Sequence, residues 1–155
     1  MTSVKDIALI IAVVVGSIVL VSLAVLVLLR SMSGKLRARV EAQLPAESIV
    51  LADWFANSFG VQSRGVTQLR GNGALVLTRD ALHFFMMVTH NDLRIPLASI
   101  TGISFVSSHL GKTVGRTLLA IDFSNDVNAP DRVALLVRQP ELWMQTLPGD
   151  RRPQA

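Results

Sequence analysis

The run from Ile7 to Leu29, IALIIAVVVGSIVLVSLAVLVLL, is 23 residues long and carries no charge. At a rise of about 1.5 Å per residue, a helix of this length crosses a hydrocarbon core of roughly 30 Å. A soluble core helix is rarely apolar on every side over such a length. A cleaved signal peptide has an apolar stretch of only about 7–15 residues before a small-residue cleavage site. Ser31 and Ser33 loosely mimic such a site, but this run is longer and Arg30 ends it abruptly. The expectation is an uncleaved membrane anchor. Gly16 and Ser17 lie mid-span without a G-x-x-x-G pair, so nothing in the run specifies helix dimerisation.

The flanks of the run predict its orientation. Before it, Lys5 is matched by Asp6; after it come Arg30, Lys35, Arg37 and Arg39. Positive flanks stay cytoplasmic, so the short N-terminus is expected outside and the rest of the chain at the inner face of the cell membrane. These four basic residues are also the candidate contacts to anionic lipid, each contributing about 1 kcal/mol near a charged surface.

The whole chain of 155 residues has a net charge of +4, which raises the question of nucleic acid. The distribution answers it. Between Pro45 and Leu147 there are eight basic residues (Arg64, Arg70, Arg79, Arg94, Lys112, Arg116, Arg132, Arg138) and eight acidic ones (Glu47, Asp53, Asp80, Asp92, Asp122, Asp126, Asp131, Glu141). A nucleic-acid binder needs its basic excess on the folded domain, and here the excess sits beside the apolar run and in the tail, at Arg151 and Arg152. The chain has no cysteine, which excludes disulfides, thiolate metal sites and a cysteine nucleophile.

Beyond the anchor, SGKLRARVEAQLP continues as helix. Leu36, Val40 and Leu44 recur every four residues as one apolar stripe, and Arg37 and Glu41 form an i,i+4 pair of opposite sign. Pro45 ends the helix. The segment reads either as a surface helix touching lipid or as a solvated linker.

After Pro45 the pattern turns to short β-type runs between turn residues. Seven strands are expected: Gly65–Leu69, Ala74–Leu77, Ala81–Val88, Leu93–Pro96, Ile100–Val106, Leu118–Phe123 and Arg132–Val137. Asn72-Gly73 predicts a type I′ hairpin turn, which requires positive φ twice. Thr78-Arg79-Asp80 and His90-Asn91-Asp92 predict two more turns. Alternation at Leu119–Phe123 and Ile100–Phe105 predicts strands with one buried and one wet face. The stretch Glu47–Phe59 reads as strand or as amphipathic helix. PELWMQTLP predicts a short C-terminal helix starting at Pro140, with Trp143 and Leu147 on one face.

The pieces RGNGALVLTRDALHFF, LRIPLASITGISF, LLAIDF and the WMQTL helix carry a family likeness. Residues Ser63–Leu147 resemble a pleckstrin-homology-like (PH-like) domain of the GRAM or bacterial PH type. The resemblance implies a mainly-β domain: a seven-stranded, partly open barrel or sandwich capped by the C-terminal helix. It also implies a non-catalytic binding module for phosphoinositides or protein partners.

The expected organisation is therefore a short N-terminus (1–6), a single transmembrane helix (7–29), and a basic juxtamembrane helix or linker (30–45). A PH-like domain (46–147) and a disordered tail (148–155) follow. The chain reads as a single-pass module recruiting a protein partner or a lipid headgroup, or as an accessory subunit of a larger membrane complex.

Candidate ligand contacts are Arg64 and Arg70 near the first hairpin, and His109, Lys112 and Arg116 in a second basic loop; solvated loop charge is the plainer reading. Gly111-Lys112-Thr113 lacks the upstream glycine of a phosphate loop, since Val106 stands there. Val127 and Val133 replace the glycine and glutamate of a calcium loop beginning at Asp122. His83, His90 and His109 have no ligand spacing, and Ser107-Ser108-His109 has no nucleophile-elbow frame. No catalytic residues, metal, cofactor or small-molecule substrate are expected. The aromatic residues read as core, with Trp54-Phe55 alternatively dipping into the bilayer interface.

Overall fold

The computed structural model describes residues 3–65, 68, 70–89 and 91–151. It divides into two compact units, Met1–Lys35 and Leu36–Ala155. Helix α1, Val4–Gln43, begins in the first and ends in the second.

In the first unit, α1 starts on a reciprocal cap. The Ser3 hydroxyl accepts from the Lys5 N–H (3.4 Å), and the Asp6 carboxylate accepts from the Ser3 N–H (2.9 Å). Ser17 and Ser22 donate to the carbonyls of Val13 and Ile18, so their hydroxyls are satisfied inside the helix, as hydrocarbon requires. The apolar side chains of the run are all exposed. This is one helix long and apolar enough to cross a membrane.

The second unit begins with the last turns of α1, about ten residues before the expected domain start. Seven antiparallel strands follow: β1 Ile49–Val61, β2 Gly71–Thr78, β3 Ala81–Met86, β4 Leu93–Pro96, β5 Ile100–Val106, β6 Leu118–Ser124 and β7 Pro130–Leu136. Helix α2 spans Pro140–Thr146, and a two-residue strand β8, Asp150–Arg151, pairs parallel to β5. The spatial order is β4-β3-β2-β1-β7-β6-β5-β8. The 13 residues of β1 serve both halves: Ile49–Ser58 pair with β2, and Asn57–Val61 with β7.

The open sheet curls around one apolar core. Leu75, Leu77, Leu82, Phe84 and Ile95 from one half meet Ile103, Leu119, Ile121, Val133 and Leu135 from the other, with Trp143 of α2 and Leu147 just after it among them. Trp143 is 2% exposed, so α2 contributes a large apolar plug. Pro140 at the start of α2 removes an N–H that no helical carbonyl would have met.

Several expectations change. Within Glu47–Phe59, Glu47 and Ser48 close a short 3₁₀ turn (Ala46–Ser48) and Ile49–Phe59 is strand, whose alternation is broken by a register shift between Asp53 and Ala56. Most of the expected strand Gly65–Leu69 (Val66, Thr67 and Leu69), along with His90, lies outside the described residues. Asn72-Gly73 forms no turn. Both lie within β2, paired with Asn57 and Ala56. Glycine is needed there for close approach: a Cβ on Gly73 would sit 2.1 Å from the Phe85 carbonyl oxygen. The expected tail starts as β8, after Gly149 (φ 128°) turns the chain back onto β5.

The expected wet faces are narrow: Thr101 of β5 is exposed and Asp122 of β6 half-buried. Residues 118–121 of β6 are all buried. Outside the main core, Leu36 and Val40 of α1 cover Ala74, Val76 and Phe85, with Leu44 and Trp54 packed alongside. The apolar stripe is thus neither a lipid-facing helix nor a linker, but a lid on β2 and β3. A second outer cluster joins Phe59, Val106, Leu118, Ala120 and Ala134.

Candidate functional site

The β1–β2 loop and the β5–β6 loop are far apart in sequence but clasped in the fold. At the tip of the second, His109 and Lys112 exchange both backbone hydrogen bonds (3.0 and 2.9 Å) around Leu110 and Gly111. Both central residues have positive φ, 50° and 70°, as a tight I′-like turn requires. Glycine fits this at no cost, whereas Leu110 is bracketed there by the two His109–Lys112 hydrogen bonds.

Three side chains fasten the turn to the other loop. His109 Nε2 donates to the Gly60 carbonyl (3.1 Å), which fixes the Nε2–H form. Lys112 Nζ donates to the Gln68 carbonyl. Arg70 Nη2 donates to the Thr113 carbonyl (2.9 Å), with its guanidinium 4.5 Å from the centroid of the Phe59 ring. Gln68 completes the clasp, its amide bonding both the N–H and the carbonyl of Val61.

Of the five candidate ligand contacts, the clasp gathers Arg70, His109 and Lys112. Arg64 and Arg116 stand apart from it. Arg64 lines an open cleft of about 300 Å³ with Arg94, Phe123, Asp126 and Asp131. There Asp131 accepts from the Ser63 N–H (3.0 Å) and hydroxyl (2.5 Å). Arg116 lines another cleft with Leu136, Pro140 and Glu141. The clasped cations direct donors at backbone carbonyls, an arrangement that ties loops together. No spacing rule links residues 59–70 to residues 109–113, and only the basic residues in both loops hinted at it.

Among the candidate lipid contacts, Arg30 and Lys35 belong to the first unit and are exposed. Arg37 pairs with Glu41 (3.0 Å) and lies over Trp54, with 5.2 Å from guanidinium to ring centroid. Arg39 turns to the domain, donating to the Met86 carbonyl (2.5 Å) and to Asp92 (3.1 Å), which itself accepts from the Met86 N–H (2.8 Å). Arg39 therefore fixes the β3–β4 loop beneath α1.

A larger open cleft, about 490 Å³, lies beside this helix and is lined by Thr78, Asp80, His83, Asp92 and Arg94 among others. Arg94 pairs with Asp80 (2.9 Å). The Thr78 hydroxyl and this arginine hold the Asp80 carboxyl below its usual range. On the second half, Arg132 grips Asp122 through two bonds (2.5 and 3.0 Å), which raises the already high guanidinium pKa. Among the described residues no three His, Asp or Glu side chains cluster as a metal site.

His83 stacks on Phe85, with ring centroids 5.9 Å apart. Burial pushes the pKa of His83 down, helped by Arg94, and burial likewise lowers that of His109 against the opposing pull of the Gly60 carbonyl. The unfolded chain therefore takes up protons first. The stability held by the two neutral imidazoles is intact above the ordinary value of about 6.5 and is lost as pH falls through it towards the lowered folded values. Urea unfolding of the full chain in detergent should show a lower midpoint at pH of about 5 than at about 7.5. A His83→Gln/His109→Gln chain should show a smaller difference; an undiminished one would refute the assignment.

No protein-family model matches this chain, and no curated protein matches it. Among solved structures, the C-terminal domain of an unknown protein from Leishmania infantum is 15% identical, with a TM-score of 0.43. That match covers 64% of this chain and 79% of the other. The hSac2 domain from human phosphoinositide phosphatase Sac2 is 14% identical, with a TM-score of 0.47 over 79% of this chain and 87% of that one. Likenesses at this level carry no assignment of fold family or activity.

Proposed function

We propose that the chain is a single-pass membrane protein presenting a PH-like, non-catalytic module at the inner membrane surface, where it recruits a protein partner. The observation that carries this reading is the strand order β4-β3-β2-β1-β7-β6-β5 around a core plugged by Trp143 of α2, in a chain that also holds a membrane-length apolar helix. That arrangement is what the PH-like resemblance implies. A protein partner is favoured over a lipid headgroup because Arg70, His109 and Lys112 are committed to backbone carbonyls. A headgroup site of the PH type needs such cations aimed at phosphate.

Two measurements test the reading on the full chain. Protease added to right-side-out vesicles should spare the domain after Leu36; its digestion would reverse the orientation. Photo-crosslinking in native membranes should recover one recurrent protein. That protein should be lost from a chain ending at Gln43. Recovery of self-adducts alone would overturn recruitment and favour lipid or self-association.

A further inference from the structure

The register shift in β1 between Asp53 and Ala56 places Trp54 and Phe55 at a bulge. The bulge is built, not loose. The Asp53 carboxylate, 5% exposed, accepts from the Phe55 N–H (3.0 Å) and the Arg138 N–H (2.7 Å). This clamp turns Phe55 outward, to 57% exposure, the one strongly exposed aromatic among the described residues. Each ring carries a guanidinium: Arg138 lies 4.2 Å from the Phe55 centroid, and Arg37 lies 5.2 Å from that of Trp54.

An aromatic ring with a cation stacked on it suits the boundary between acyl chains and headgroups, where the ring is apolar and the guanidinium reaches phosphate. The occupant is indicated by chain length. Arg37 follows Leu29 by eight residues, so even a fully extended link keeps it within about 29 Å of the end of the apolar run. The carboxylates nearby do not oppose the contact strongly, because Asp53 is buried and Glu41 is paired with Arg37.

We infer that the Trp54-Phe55 bulge is a second membrane contact, seated in the interface of the bilayer that the chain's own helix spans. Arg37 and Arg138, each already paired with a carboxylate of the domain, then lie at headgroup depth over the two rings. The inference rests on the anchoring half of the proposed function and adds a second contact to it.

The test uses the full chain in vesicles of equal phosphatidylcholine and phosphatidylglycerol. Trp54 and Trp143 are the two tryptophans, and Trp143 is buried, so the native signal minus that of a Trp54→Phe chain isolates Trp54. Phospholipids brominated high on the acyl chain should quench the Trp54 signal by about twofold or more, as contact at interfacial depth requires. Phe55→Ser with Arg138→Gln should reduce the quenching while Trp143 emission stays unchanged, reporting an intact core. A Trp54 signal indifferent to brominated lipid and open to aqueous iodide would overturn the contact. So would shielding from iodide that arises only when native membrane proteins are included, which assigns the surface to a protein. Release of the chain by alkaline carbonate would sink anchoring and contact together; a retained chain with unquenched Trp54 sinks the contact alone.

Discussion

A chain carrying Val40→Asp should lose its folded domain while its apolar helix still inserts. Val40 is fully buried against Ala74, Val76 and Phe85, in a part of α1 that precedes the first strand. Removing the valine forfeits about 1.5–3 kcal/mol of burial. A carboxylate buried in its place costs several kcal/mol more or must protonate. Together these rival the roughly 5–15 kcal/mol that holds a domain folded. Ala42→Asp, at an exposed position on the same turn of helix, is the control. Limited proteolysis in detergent should cut Val40→Asp within the sheet and leave Ala42→Asp intact. Equal resistance would mean that α1 does not close over β2 and β3.

Gly73→Ala should damage the sheet more than Gly71→Ala, its neighbour on β2. The added Cβ would stand 2.1 Å from the Phe85 carbonyl oxygen, 2.9 Å from the Phe84 ring and 3.0 Å from the Phe85 carbonyl carbon. Two of those three neighbours are backbone atoms, so no rotamer change relieves the overlap and β2 must part from β3. Overpacking of this kind costs about 1–3 kcal/mol, and the upper end applies where a ladder is disturbed. Gly71→Ala meets only the flexible end of Met86, at 2.1 Å, and should cost less. Thermal unfolding followed by circular dichroism ranks the two; the reverse order would refute the packing argument.

The parts of this molecule that were legible beforehand are those with a local period. The apolar run, the short strands from Ala81 to Leu136 and the Trp143 helix each announce themselves within a few residues. The stripe Leu36-Val40-Leu44 was equally plain, but a stripe says that a face will be covered and not by what. Asn72-Gly73 misled because the same two residue types serve a tight turn and a close strand approach, and the choice was made by Phe85 on the neighbouring strand. Glu47–Phe59 stayed ambiguous because the bulge at Trp54-Phe55 shifts the alternation halfway along. The loop clasp was out of reach for a different reason: Arg70, His109 and Lys112 could be picked as basic, yet their acceptors are carbonyls of Thr113, Gly60 and Gln68, which have no signature in a sequence.

Strand β1 has a consequence for the order of events during synthesis. Its first half can pair with β2 as soon as that hairpin leaves the ribosome, but its second half waits for β7, because Asn57 pairs with Leu136. Contacts between such distant positions slow folding, since a long loop must close before they form. Phe59 and Val61 therefore remain uncovered through most of translation, while the apolar helix made just before them is already able to enter the bilayer. The nascent half-sheet spends that interval with an open flank, and chaperone capture at that stage would fall on β1 before any other strand.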